Sequence, residues 1–162
     1  MDVFDEELLR FWKIAFDSDL QYIMIGGVAT NLHGYQRTTE DIDMWVKDTK
    51  PNREILRQVF ISYGLGDIEA LINMEFIAGW TYFHLDNGIR LDIMTSVKGL
   101  KQPFDHYHKL ASIATIYDVD VPFLHINHLI DSKKSANRPK DQSDIIELEK
   151  IKKLIEEDRQ YD

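Results

Sequence analysis

Apolar and polar positions along this chain alternate between helical and strand periods. Over residues 3–16, Phe4, Leu8, Phe11, Trp12 and Ala15 recur at helical spacing, and Asp17-Ser18-Asp19 breaks the pattern. Tyr22-Ile23-Met24-Ile25 is a four-residue apolar run, long enough for a buried strand. Gly26-Gly27 interrupts it, residues 28–32 start a helix, and Gly34 can end it. A strand through residues 41–46 turns Asp41, Asp43 and Trp45 to one face and Ile42, Met44 and Val46 to the other. Pro51 suits the first turn of the next helix, whose apolar face carries Ile55, Leu56, Val59, Phe60 and Tyr63 up to a stop at Gly64.

The second half continues the alternation. Residues 66–73 predict a short helix. Asn87-Gly88 is a strong hairpin signal and joins strands expected at 76–86 and 89–97. The second of these strands sets Leu91 and Ile93 on one face and Arg90, Asp92 and Met94 on the other. Residues 98–110 read as loop and a short helix limited by Pro103. Strands at 112–118 and 121–125 flank a turn expected at Val119-Asp120. A helix over 126–136 carries Leu129 and Ile130. Pro139 opens the last helix, with Asp141 and Asp144 near its N-terminus and a buried stripe expected at Ile145, Leu148, Ile151, Leu154 and Ile155; the polar tail from Glu156 is expected to fray. With no repeat, low-complexity stretch or linker, the expectation is one domain over 1–162, of α+β class.

Composition narrows the function. No apolar run reaches the length of a membrane span. The acidic start, Asp2 and then Asp5-Glu6-Glu7, is unlike a secretory or mitochondrial leader. The absence of cysteine excludes disulfides, thiolate nucleophiles and cysteine-based zinc sites, and fits a cytoplasmic location. A net charge of -9 disfavours a protein that grips nucleic acid by its backbone. Against that charge, Lys133, Lys134, Arg138 and Lys140 form a local basic cluster.

Two carboxylates on one strand face, Asp41 and Asp43, are costly together unless a cation lies between them, and a hard divalent ion such as magnesium takes oxygen ligands. The glycine corner at Gly26-Gly27 bares backbone N–H groups at the start of a helix, a setting that suits a phosphate. Taken singly, a glycine pair also fits a plain turn and Asp-x-Asp a solvated edge strand; their combination favours an active site. Of the histidines, His125 and His128 are one helical turn apart, but nothing nearby completes a zinc site, and His33 is near enough to the glycine helix to touch a substrate.

The Gly-Gly corner, the helix and the following Asp41-Ile42-Asp43 resemble the nucleotidyltransferase superfamily that shares its catalytic domain with DNA polymerase β. Arg37-x-Thr39 resembles the Arg-x-Thr of small bacterial members. Lys133, Arg138-Pro139-Lys140-Asp141 and Asp144 resemble the terminal basic motif of small nucleotidyltransferases, including abortive-infection toxins; antibiotic nucleotidyltransferases are similar in size and in their Gly-Gly and Asp-x-Asp features. The resemblance spans residues 22–146 and implies a small mixed sheet flanked by helices. It implies that Asp41, Asp43 and a third carboxylate, Asp92, hold two magnesium ions. It further implies that Gly26, Gly27, Arg37, Thr39, Lys133, Arg138 and Lys140 serve the nucleotide. The implied reaction moves a nucleoside monophosphate from a nucleoside triphosphate, such as ATP, to an acceptor hydroxyl on a small molecule, an RNA end or a protein. Acceptor binding falls to the domain itself, a second subunit or a partner protein. The competing expectations are a nucleotide-binding module that keeps the metal site but has lost acceptor binding, and an interaction partner such as an antitoxin or a subunit; the paired carboxylates argue against the second.

Overall fold

The structure, a computed structural model, describes residues 2 and 4–161. The first helix, α1 (Glu6–Asp17), is capped by the Asp5 carboxylate, which accepts from the backbone N–H of Glu7 and Leu8. It buries Leu8, Phe11, Trp12 and Ala15; the start expected at Val3 lies outside the described residues. The order continues β1 (Tyr22–Ile25), α2 (Gly26–Leu32), β2 (Asp41–Val46), α3 (Lys50–Tyr63), a 3-10 turn (Glu69–Ile72), β3 (Tyr82–His84) and β4 (Arg90–Met94). It ends with α4 (Phe104–Leu110), β5 (Ser112–Ile116), β6 (Val119–Phe123), α5 (Ile126–Ala136) and α6 (Pro139–Gln160).

The strands form one six-stranded mixed sheet in the order β3-β4-β2-β1-β6-β5. Two hairpins make its flanks, and the buried strands β1 and β2 its centre. β1 runs antiparallel to β2 and parallel to β6, while β2 runs parallel to β4. This is the α+β mixed sheet with helices that the sequence predicts. The register decides the site: Asp43 lies opposite Ile25 on one side and opposite Asp92 on the other, and Asp41 lies opposite Arg90. Leu8, Ile23, Met24, Ile42, Met44, Leu56, Phe60 and Leu91 are among the fully buried side chains that hold this register. A one-residue slip would send the acidic face into that core.

Four local expectations are corrected. The strand expected at 76–86 shrinks to β3, because the residues before it satisfy their polar groups in a turn: Thr81 Oγ1 accepts from Ile77 N–H, and Thr81 N–H donates to the Ile77 carbonyl. Its partner likewise covers only Arg90–Met94. The turn expected at Val119-Asp120 lies at Tyr117-Asp118, both left-handed, and Thr115 donates to Asp120 across it. Helix α6 runs on to Gln160, and its buried stripe is short: Leu148 is buried, Ile145 and Ile151 are half-buried, and Leu154 and Ile155 are exposed. The buried face of its first turns is instead given to Asp141 and Asp144. No helix among the described residues is long and apolar enough to cross a membrane.

Candidate active site

Where β1 ends and β2 and β4 begin, a cleft of about 370 Å³ opens. Gly26, Asp41, Asp43 and Asp92 line it from the sheet. Lys133, Arg138, Lys140 and Asp141 line it from the α5–α6 junction. Tertiary structure thus joins residues that lie more than ninety positions apart in the chain.

Asp43 is the most perturbed carboxyl in the cleft. Burial raises its pKa to about 6, the negative charges of Asp92 and Asp41 add to the rise, and Lys140 and Arg138 offset part of it. Among the described residues, no cationic side chain forms an ion pair with Asp41 or Asp43. Gly26 belongs to this arrangement for a reason beyond its bare N–H: its φ is +64°, and a Cβ there would overlap the Asp43 carboxylate. Glycine therefore lets the first turn of α2 close over Asp43.

The far wall is a set of satisfied charges. Asp144, 1% exposed, accepts from Arg37 Nε at 2.7 Å and Arg37 Nη2 at 2.8 Å, a bidentate pair, and from Lys133 Nζ at 2.8 Å. Asp141 accepts from the Arg138 side chain at 2.7 Å and from the Arg138 backbone N–H at 3.0 Å, satisfying the N-cap N–H at the start of α6. Burial pushes the Asp141 carboxyl up, but these hydrogen bonds outweigh it and hold the group below its usual range. Burial lowers the Lys133 pKa against the opposing pull of Asp144 and Asp141. Both aspartates orient the basic residues, and Asp141 caps the helix as well.

Three of the residues expected at the nucleotide stand behind this wall. Arg37 is engaged by Asp144 and does not line the cleft. Thr39 donates to the Asp41 carbonyl, bracing the start of β2. Gly27 backs onto both, since a Cβ there would strike Thr39 Oγ1 and approach Arg37. In this structure the three occupy bracing positions. His33 is also turned elsewhere, toward the Leu124 carbonyl at 2.8 Å. Lys134 is exposed, as its helical position predicts.

The sequence reading gave Arg90 no role, and it is a principal feature of the cleft. Its Nη2 lies 3.1 Å from Asp92 Oδ2 and donates to the Gly79 carbonyl at 3.0 Å, while the guanidinium sits 4.0 Å over the Tyr82 ring. The available signal was its i, i+2 spacing to Asp92 on one strand face. Among the described residues, no three acidic or histidine side chains are arranged to hold a metal ion together. By donor chemistry Asp41, Asp43 and Asp92 nevertheless fit a hard divalent cation: all supply oxygen, they share a face, and Asp43 is strained by its neighbours' charge.

The family described as a nucleotidyltransferase of unknown function (DUF6036) matches residues 5–158. No curated protein matches the chain in sequence. Among solved structures, the lincosamide antibiotic adenylyltransferase LnuA, with lincomycin bound, is similar at a TM-score of 0.60 and 17% identity, over 93% of this chain and 99% of that one. ANT(2")-Ia, in complex with adenylyl-2"-tobramycin, is similar at 0.55 and 19%, over 95% of both chains. A putative nucleotidyltransferase from Thermotoga maritima is similar at 0.53 and 13%, over 93% of this chain and 91% of that one. At these identities the likeness establishes the fold.

Proposed function

The chain belongs to the DUF6036 nucleotidyltransferase family, and from that premise we propose that it transfers a nucleoside monophosphate from a nucleoside triphosphate to an acceptor hydroxyl, with loss of pyrophosphate. The observation that carries this reading is Asp43, held at the cleft floor against the charges of Asp41 and Asp92 and facing Arg138 and Lys140. A magnesium ion, when bound by Asp41, Asp43 and Asp92, supplies charge neutralisation for the phosphates and for the attacking oxygen. The rest of the work falls to the chain. Arg138 and Lys140 attract the triphosphate from the opposite wall. Because α2 has only seven residues, these cations contribute more to phosphate binding than the helix dipole does. Asp141 aims Arg138, and the Asp144 network holds Lys133 at the back of the cleft. Phosphoryl chemistry of this kind depends on positioning and charge more than on a protein nucleophile.

One observation favours a second reading. The Arg90–Asp92 ion pair occupies the third carboxylate, as it would in a nucleotide-binding module without transfer activity. Incubation with each nucleoside triphosphate labelled at the α-phosphate, with magnesium and a cell extract, separates the two. Transfer places α-label on an acceptor, and Asp41→Asn or Asp43→Asn abolishes it. Retention of intact nucleotide with no labelled acceptor supports the binding module. Label that moves only from the γ-position overturns the proposed reaction.

A further inference from the structure

We infer that Arg90 is a positioning residue, a resident counter-cation that engages Asp92 in the metal-free protein and competes with a divalent cation for it. The inference rests on the reading above that Asp41, Asp43 and Asp92 hold a cation.

Four contacts orient the guanidinium. Nη2 reaches both Asp92 oxygens, at 3.3 and 3.1 Å, and donates to the Gly79 carbonyl. The guanidinium carbon stacks over Tyr82, whose backbone pairs in register with Asp92. Asp92 itself is 5% exposed, so its charge is not compensated by water and needs a partner within the protein. Arg90 is that partner.

The guanidinium is not fully satisfied there. Its Nε is buried and has no hydrogen-bond partner, an unfavourable state for a polar group. Its side chain keeps about a third of its surface in solvent and borders the cleft, so it has room to turn. A dication and a guanidinium repel each other across one carboxylate, so each weakens the other's hold on Asp92. When Asp92 turns to a cation, Nη2 retains the Gly79 carbonyl and the ring of Tyr82, and Arg90 remains at the cleft as an uncompensated positive charge. A bare metal ion meets that repulsion in full. A metal ion that arrives with a triphosphate brings the negative charge that relieves it. Arg90 thereby couples cation binding to nucleotide binding.

The test uses manganese(II) alone, titrated into the whole protein and followed by electron paramagnetic resonance of the free ion. Arg90→Gln should bind manganese roughly three- to tenfold more tightly than wild type, the scale of a partly exposed ion pair. Arg90→Lys keeps the charge and should stay close to wild type. Asp92→Asn in the Arg90→Gln background should erase the gain. A purely structural role for Arg90 would leave affinity unchanged or lower it, and circular dichroism of each variant checks folding. If Asp43→Asn weakens manganese binding while Arg90→Gln and Arg90→Lys both match wild type, the counter-cation role is overturned and the cation site stands. If Asp43→Asn leaves manganese binding untouched, the cation site itself fails and the inference falls with it.

Discussion

Two groups of carboxylates, one lining the cleft and one in and behind its far wall, are treated in opposite ways. At the α5–α6 junction, Asp141 and Asp144 are enclosed and fully partnered by Arg37, Lys133 and Arg138. On β2 and β4, Asp41 and Asp43 have no ion-pair partner among the described residues, and Asp92 has only Arg90. The first group has each carboxylate matched by cations of the chain and acts as a brace between α6, α5 and the segment before β2. The second carries surplus negative charge that the fold does not cancel, and the free energy it forgoes is recovered only when something positive arrives. Identical side chains are thus structural in one wall and poised for a ligand in the other. The difference is whether the partner comes from the chain.

The comparison can be broken most forcefully in the brace. Asp144→Ala strips both Arg37 and Lys133 of their shared partner and leaves Lys133, 5% exposed, as a buried charge with only a 3.8 Å contact to Asp141. It should cost about 3–5 kcal/mol of stability, read from urea unfolding at neutral pH. A cost within the range of a surface substitution would mean that water already shares the junction, and the contrast would collapse.

Asp43→Asn tests the other wall with the opposite sign. The folded pKa of Asp43, about 6, stands above the ordinary aspartate value of 3.8, so between those values the folded protein binds more protons than the unfolded one. Wild-type stability should therefore fall as pH rises from about 4 to about 6, by up to about 3 kcal/mol. The asparagine variant should lack that loss and, without metal, melt at or above wild type at neutral pH. Magnesium-ATP or magnesium-GTP at a hundredfold excess over its dissociation constant should stabilise wild type by about 2.7 kcal/mol, and the variant should lose most of that gain. A variant clearly less stable than wild type without metal would make Asp43 a structural residue like Asp144.

The smallest expected effect sharpens the boundary between the walls. Lys134 neighbours Lys133 in sequence but is more than half exposed, with only a 3.8 Å contact to Glu149. Lys134→Ala should change stability and nucleotide binding by less than about 0.5 kcal/mol. An effect comparable to Lys133→Ala would indicate a diffuse basic surface in place of an ordered wall, and it would fade with added salt.

Much of this molecule was legible in the chain. The periods of α1, β1, β2 and α3, the stop at Gly64, the span 126–136 and the Pro139 start each follow from local rules of spacing and capping, which need no distant partner. Asp41, Asp43 and Asp92 could be placed on strand faces because side chains alternate with a period of two. Other features depended on contacts that no window of sequence contains. The segment before β3 could read as strand, but Thr81 closed it into a turn. Leu154 and Ile155 continued an apolar period that the fold left without a neighbour. Arg37 carried the same charge as Arg138, and only the approach of α6 directed it to Asp144 rather than to the cleft. Arg90 was written two residues from Asp92, yet its ion pair also required the Gly79 carbonyl and the Tyr82 ring to close around it. Sequence determines which residues carry charge and which face they share; tertiary structure decides which charges meet, because pairing energy depends on distance and burial that only the assembled sheet and helices set.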